Sequence, residues 1–140
     1  MDRKELAVHL HHQNFNCAQS VACAYCNVLG YDPQLVFKLA EPLGRGMGLK
    51  DTCGCITAMG MAIGMKLSDG NLDEPATKDE SYLMMEKAFR MFEMKRGTTS
   101  CAELRKDVED KPMEEIKLYC DGCIRDAIEI LDYLLLGIEE

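Results

Sequence analysis

Apolar residues recur at helical spacing along nearly the whole chain, and no stretch alternates in the manner of a half-buried strand. That pattern confines the chain to helices packed on helices. Arg3 to His12 reads as a first helix, with Leu6 and Leu10 on one side and a short break at Gln13-Asn14. Asn16 caps a second helix from Cys17 to about Leu29, with Ala18, Val21, Ala22 and Tyr25 facing inward, and Gly30 stops it. Asp32-Pro33 starts a third helix that ends near Leu43. After the glycine-rich loop Gly44-Arg45-Gly46-Met47-Gly48, Asp51 or Thr52 caps a fourth helix, from Cys53 to about Leu67. Ser68 to Pro75 is a polar turn region. A fifth helix spans about Lys78 to Arg96, with Tyr82, Met85, Ala88, Phe89 and Phe92 as its buried stripe and Gly97 as its stop. Ser100 caps a short helix from Cys101 to about Asp107, Pro112 opens another, and Asp121 to Leu136 makes the last. No repeat or boundary interrupts the series, so residues 1–140 are expected to form one all-α domain.

Onto this frame the chain places eight cysteines, at 17, 23, 26, 53, 55, 101, 120 and 123. Four of them, Cys17, Cys53, Cys101 and Cys120, fall at expected helix starts. A helix start offers unpaired N–H groups and a positive dipole end, which favour thiolate over thiol. The apolar fraction is 47%, enough for a core without covalent staples. The opening Met-Asp-Arg-Lys-Glu-Leu lacks the apolar centre of a signal peptide, and Ile56 to Met65 is too short to span a bilayer. A cytoplasmic protein without membrane insertion is expected, and there cysteine richness points to metal binding or redox cycling. The net charge of −8 argues against nucleic acid as partner.

Two Cys-x-x-Cys pairs occur. Cys23 and Cys26 lie inside a helix and read as core filler. Cys120 and Cys123 read as an attacking thiol and its resolving partner. In Cys53-Gly54-Cys55, Gly54 leaves room for a backbone or a sulfur to approach. The two sulfurs are expected to diverge, so that only one reaches a shared site. The ligand chemistry also admits a Cys-only zinc site, although this core needs no metal to fold. The Gly44-x-Gly-x-Gly48 loop lacks the Lys-Ser/Thr ending of a phosphate loop and reads as a turn beside the cysteines. Gly60 and Gly64 are spaced for close helix packing. Among His9, His11 and His12, the first and last share a helix face that could take metal or haem, and a solvated face is the simpler reading. Ten methionines suit Cu(I) in principle, but Met59, Met61, Met65, Met84 and Met85 sit in apolar runs as gap fillers.

These motifs resemble the C_GCAxxG_C_C family, proteins described as redox-active and named for four cysteines. Asn16-Cys17-Ala18-Gln19, the glycines from Gly44 to Gly48, Thr52-Cys53-Gly54, Cys101-Ala102-Glu103-Leu104, and Cys120 with Ile124 carry the resemblance. It covers nearly the whole chain. The central motif departs at two points: Cys55 stands for the usual alanine and Ala58 for the second glycine. Cys123 is likewise extra. The resemblance implies a helical fold and a redox role. A similar domain accompanies haem in split-Soret cytochromes, where an iron–sulfur centre is associated with it.

The expectation is therefore one redox-active site formed by Cys17, Cys53, Cys101 and Cys120, with Cys55 and Cys123 as extra ligands. In one mechanism these thiols hold an iron–sulfur cluster, as an electron-transfer component or oxidoreductase serving a redox partner protein. In another, without metal, two of them cycle through a disulfide with Cys120 or Cys53 attacking. A third reading, a non-catalytic helical binding module, predicts cysteines scattered through the core. The partner, the substrate and the oligomeric state are not written in the sequence.

Overall fold

A computed structural model describes residues 1–139. Eight α-helices make up the described residues: α1 (Arg3–His12), α2 (Cys17–Cys23), α3 (Cys26–Leu29), α4 (Pro33–Ala40), α5 (Gly54–Leu67), α6 (Lys78–Arg96), α7 (Cys101–Arg105) and α8 (Met113–Leu136). A 3₁₀ turn (Glu41–Leu43) and a wide turn (Gly46–Lys50) join α4 to α5. No strand occurs among them, only an isolated antiparallel bridge between Thr52 and Ser100. None of the described helices is long and apolar enough to cross a membrane.

Short α2 sits at the centre, packed on α1, α4, α5 and α8. Its inner residues Ala18, Val21 and Ala22, with Tyr25 just beyond, are fully buried. Alanines on this face let the flanking helices approach closely. Around it α5 contributes Ile56, Met59, Ala62 and Ile63, α6 contributes Ala88 and Phe92, and α8 contributes Ile124, Ala127, Ile128 and Leu131. The methionines Met61, Met65, Met84 and Met85 pack against this core as gap fillers.

Four expectations need correction. The second helix does not run from Cys17 to Leu29: it breaks at Ala24-Tyr25, where Tyr25 N–H bonds the Ala22 carbonyl one residue short of the α-helical partner. The break aims the Tyr25 hydroxyl at α8, where its one proton is shared between the Asp132 carboxylate at 2.8 Å and the Ile128 carbonyl at 3.0 Å. Arg3 closes this knot with an ion pair to Asp132 at 2.6 Å. The segments expected from Pro112 and from Asp121 are one helix, α8, so Cys120 lies inside a helix and not at its start. A single glycine, Gly122, costs a helix only about 1 kcal/mol and does not interrupt it. Tyr82 is exposed, because six residues before Ala88 lies off the buried face of α6. Gly64 faces open space, whereas Gly60 does lie against the Met85 sulfur of α6.

Tyr25→Phe should lower stability by about 1.5–3 kcal/mol, the range for a hydrogen bond to a charged group. Urea unfolding followed by far-ultraviolet circular dichroism measures this, with an unchanged denaturant slope.

Candidate functional site

The site begins with Asn16. Its side chain accepts the Gln19 N–H at 2.9 Å, and the Gln19 side chain accepts the Asn16 N–H at 2.9 Å, a reciprocal cap on α2. The same residues hold the next segment, since Asn16 Nδ2 donates to the Glu41 carbonyl at 2.8 Å and Gln19 Nε2 to the Phe37 carbonyl at 3.1 Å. Cys17 is thereby fixed as the first residue of α2. A methyl group on Gly44 would collide with Asn16, and one on Gly54 would collide with the Cys17 sulfur and press tightly on the Leu43 carbonyl and Gly44. Gly54 thus makes room for a neighbouring sulfur and a backbone together.

The wide turn after Gly44 carries left-handed backbone at Arg45 (φ 52°), Gly46 (φ 59°), Met47 (φ 60°), Gly48 (φ 75°) and Lys50 (φ 59°). Three of these are not glycine, and strain of this kind accumulates at functional sites. The turn aims the Arg45 N–H at Cys17. It then delivers the chain to the Thr52–Ser100 bridge, where Cys53 N–H bonds the Thr99 carbonyl at 2.8 Å and Cys101 N–H bonds the Asp51 carbonyl at 2.6 Å. Two cysteines 48 positions apart in sequence each follow one half of this bridge. Cys53 is itself the cap residue of α5, in place of Asp51 or Thr52, and Cys101 begins α7 behind the Ser100 cap.

Cys17, Cys53, Gly54, Cys55, Cys101, Leu104, Arg105, Tyr119, Cys120 and Cys123 line one cavity of ≈ 30 Å³. Cys53 and Cys55 both face it, against the expectation that they diverge. Cys53 has extended backbone (φ −54°, ψ 135°), so it stands outside the helical progression that would send the sulfurs apart. Cys120 and Cys123 reach the cavity from one face of α8, a turn apart. Cys23 and Cys26 do not join it. They lie at the α2–α3 break beside a separate depression with Asn27, Gly30, Tyr31 and Pro33, Cys26 buried and Cys23 half-buried. Every cysteine is a free thiol in this structure.

The thiols differ in character. Cys17 is lowered to about 6, chiefly by a hydrogen bond from the Cys55 thiol, opposed by burial, and helped by the backbone N–H groups of Arg45, Ala18 and Cys17 itself. Cys55 is correspondingly raised, since it donates to Cys17 and also meets Cys53. Burial lifts Cys101, and Cys120 is pushed up to about 12 by burial and then by repulsion from Cys17. Burial likewise raises Cys123. The expected activation of Cys101 and Cys120 is thus reversed. Cys120 lacks a helix terminus, and at Cys101 desolvation, with repulsion from Cys53, exceeds what Arg105 returns. Arg105, a turn after Cys101 and buried, lowers both Cys101 and Cys120. Its position four residues after a cysteine on a short helix is the signal that could have singled it out.

An open cleft of ≈ 630 Å³ leads to the sulfurs, lined in part by His11, Asn16, Cys17, Glu41, Arg45, Arg105, Lys117 and Cys120. Cys17 and Cys120 are common to cleft and cavity. At its edge His11 is buried, with Nδ1 at 2.7 Å from Asp121 Oδ1. His12 places Nε2 at 2.6 Å from Asp121 Oδ2, while His9 is exposed.

Fold and site define an all-α domain that gathers six thiols around one cavity. A family model described as "Putative redox-active protein (C_GCAxxG_C_C)" matches residues 15–134, and the chain belongs to this family. No curated protein and no solved structure matches it.

In metal-free protein, iodoacetamide should label Cys17 first. Its rate should rise with pH up to about 6 and level off above, because protonation below that value removes the thiolate. Peptide mass mapping across pH 4.5–9, at roughly half-unit intervals, locates the midpoint. A midpoint near the ordinary thiol value of 9.0 would contradict the hydrogen-bonded assignment. Gly54→Ala should destabilise by about 1–3 kcal/mol, as overpacking does, and should slow labelling of Cys17 by displacing its sulfur from the N–H groups.

Proposed function

We propose that Cys17, Cys53, Cys101 and Cys120 form one redox centre that ligates an iron–sulfur cluster, in a protein that passes electrons to a partner. One observation carries this reading: four thiols on four separate segments face a single cavity, and two more, Cys55 and Cys123, complete its wall. A disulfide needs two such groups, and a core needs none. The clustering raises Cys55, Cys101, Cys120 and Cys123 partly through mutual repulsion, so ionising them together requires a cation among them.

The donor set fits the group, since four thiolates complete such a cluster, which when bound accepts and releases one electron at a time. The cavity as folded has room for little more than one water-sized atom. Holding a cluster therefore requires the lining to open, and the cleft side, where Cys17 and Cys120 border solvent-accessible space, is where it can. The chain's own groups prepare the site for negative charge. Cys17 begins α2, Cys53 caps α5 and Cys101 begins α7, each at a positive helix end. Arg105 adds a full charge beside Cys101 and Cys120. Leu104 and Tyr119 supply the larger apolar surfaces of the cavity lining. Arg45, Arg105 and Lys117 line the cleft together with Glu41, and with Arg105 paired to Glu109 at 3.3 Å the lining keeps a positive excess suited to an anionic electron donor or acceptor.

A second reading is favoured by the contact between Cys17 and Cys55. A thiolate held ionised beside a protonated thiol, with access from the cleft, is the starting arrangement for thiol–disulfide exchange. In that case Cys17 attacks, in place of Cys120 or Cys53.

Anaerobic purification with iron and acid-labile sulfide analysis separates the two. The cluster reading expects coloured protein with iron and sulfide in equal amounts, lost in Cys53→Ser, Cys101→Ser and Cys120→Ser and retained in Cys23→Ser. The exchange reading expects colourless protein in which mild oxidation protects Cys17 and Cys55 as a pair. Colourless protein in which oxidation protects no pair would reject both.

A further inference from the structure

We infer that His11, His12 and Asp121 form a second site, separate from the thiols, for a divalent transition metal of the zinc or iron(II) kind. Their three donor atoms come from the end of α1 and the middle of α8 and lie within 4.8 Å of one another. Asp121 is 2% exposed, and its two oxygens each meet one imidazole. Adjacent helical residues normally diverge by about 100°. Here His12 is the last residue of α1, so its ring can turn back to the carboxylate that His11 meets from inside the helix.

Two features point to a cation and not only to a tether between helices. First, α1 ends at these histidines, and the negative end of its dipole, with the carbonyls of its last turn, draws positive charge to them. Second, the donor types match one chemical class. Two imidazole nitrogens with one carboxylate select zinc or iron(II) over calcium or magnesium, which prefer all-oxygen shells. Lys117, a turn before Asp121, is the opposing charge; its field is felt at His11. Three protein ligands leave a coordination position open, as catalytic sites do and structural zinc sites do not. His12 is exposed on one side, and His11 lines the cleft that Cys17 and Cys120 share. Asp121 directly follows Cys120 in sequence. The proposed site and the sulfur site thus border the same cleft and share no ligand.

The test is zinc alone, added to anaerobically prepared protein, with ring ¹⁵N chemical shifts and bound-metal stoichiometry as readouts. His12→Ala alters an exposed side chain and should keep its circular dichroism. His9→Ala, on the same helix and outside the site, is the control. Wild type and His9→Ala should each bind one more equivalent of zinc than His12→Ala, with the ring nitrogens of His11 and His12 shifting together on binding. Losing one ligand should weaken that equivalent by more than the ~10–100-fold typical of outer-shell changes. Equal stoichiometry in wild type and His12→Ala, or zinc uptake that leaves both rings unshifted, would overturn the site and leave the three residues as a hydrogen-bonded tether. Since the thiols are intact in every variant, the outcome is independent of what the cysteines hold.

Discussion

The sulfur of Cys17 lies over a residue that has no side chain, and much of the architecture follows from that contact. α2 and α5 must start within touching distance of each other, which they do because Gly54 presents only backbone to Cys17. The reciprocal cap of Asn16 and Gln19 fixes the other coordinate, tying the start of α2 to the carbonyls that end α4. With both ends of this junction set, the small face of α2 must take the centre of the bundle. The large residues of α5 and α8 then fill what remains.

The electrostatics of the junction are paradoxical for a core. Burial is hostile to ionised sulfur, and packing thiols together makes it more so. The fold answers at one atom: Cys17 has three N–H groups and a neighbouring thiol directed at it. Burial and neighbouring sulfurs hold Cys55, Cys101, Cys120 and Cys123 toward the protonated form in the metal-free state. The result is a graded set with one thiolate ready and several that ionise only on demand. Such a set can give up protons to a metal or take part in exchange, and the same geometry serves either chemistry. Arg105 moderates the gradient on the α7 side.

The helical character, and with it most element positions, was legible because periodicity and capping are local properties. The bounds of α1, the start of α4, the span of α6 and the Ser100 cap need only neighbouring residues to specify them. What escaped depends on partners distant in sequence. The break at Tyr25 answers to Asp132, the continuity of α8 through Gly122 leaves room for Arg96, and the joint arrival of Cys53 and Cys55 follows from extended backbone at Cys53. Helix position alone suggested reactive Cys101 and Cys120, but desolvation is set by the whole fold and reversed the sign. His11 and His12 were visible as residues, yet nothing local announced Asp121, more than a hundred positions away.

The Thr52–Ser100 bridge has a topological consequence. It clamps the chain at the base of the α5–α6 hairpin, so Cys53 and Cys101 are placed by the clamp and not by the length of what lies between. The tip of that hairpin, residues 68–76, is exposed throughout. Insertions there would lengthen an arm whose hinge is already closed, leaving the spacing of the sulfurs untouched. The hairpin is thus free to diversify in length and sequence, and could acquire a docking element of its own, while the chemistry at its root stays constant.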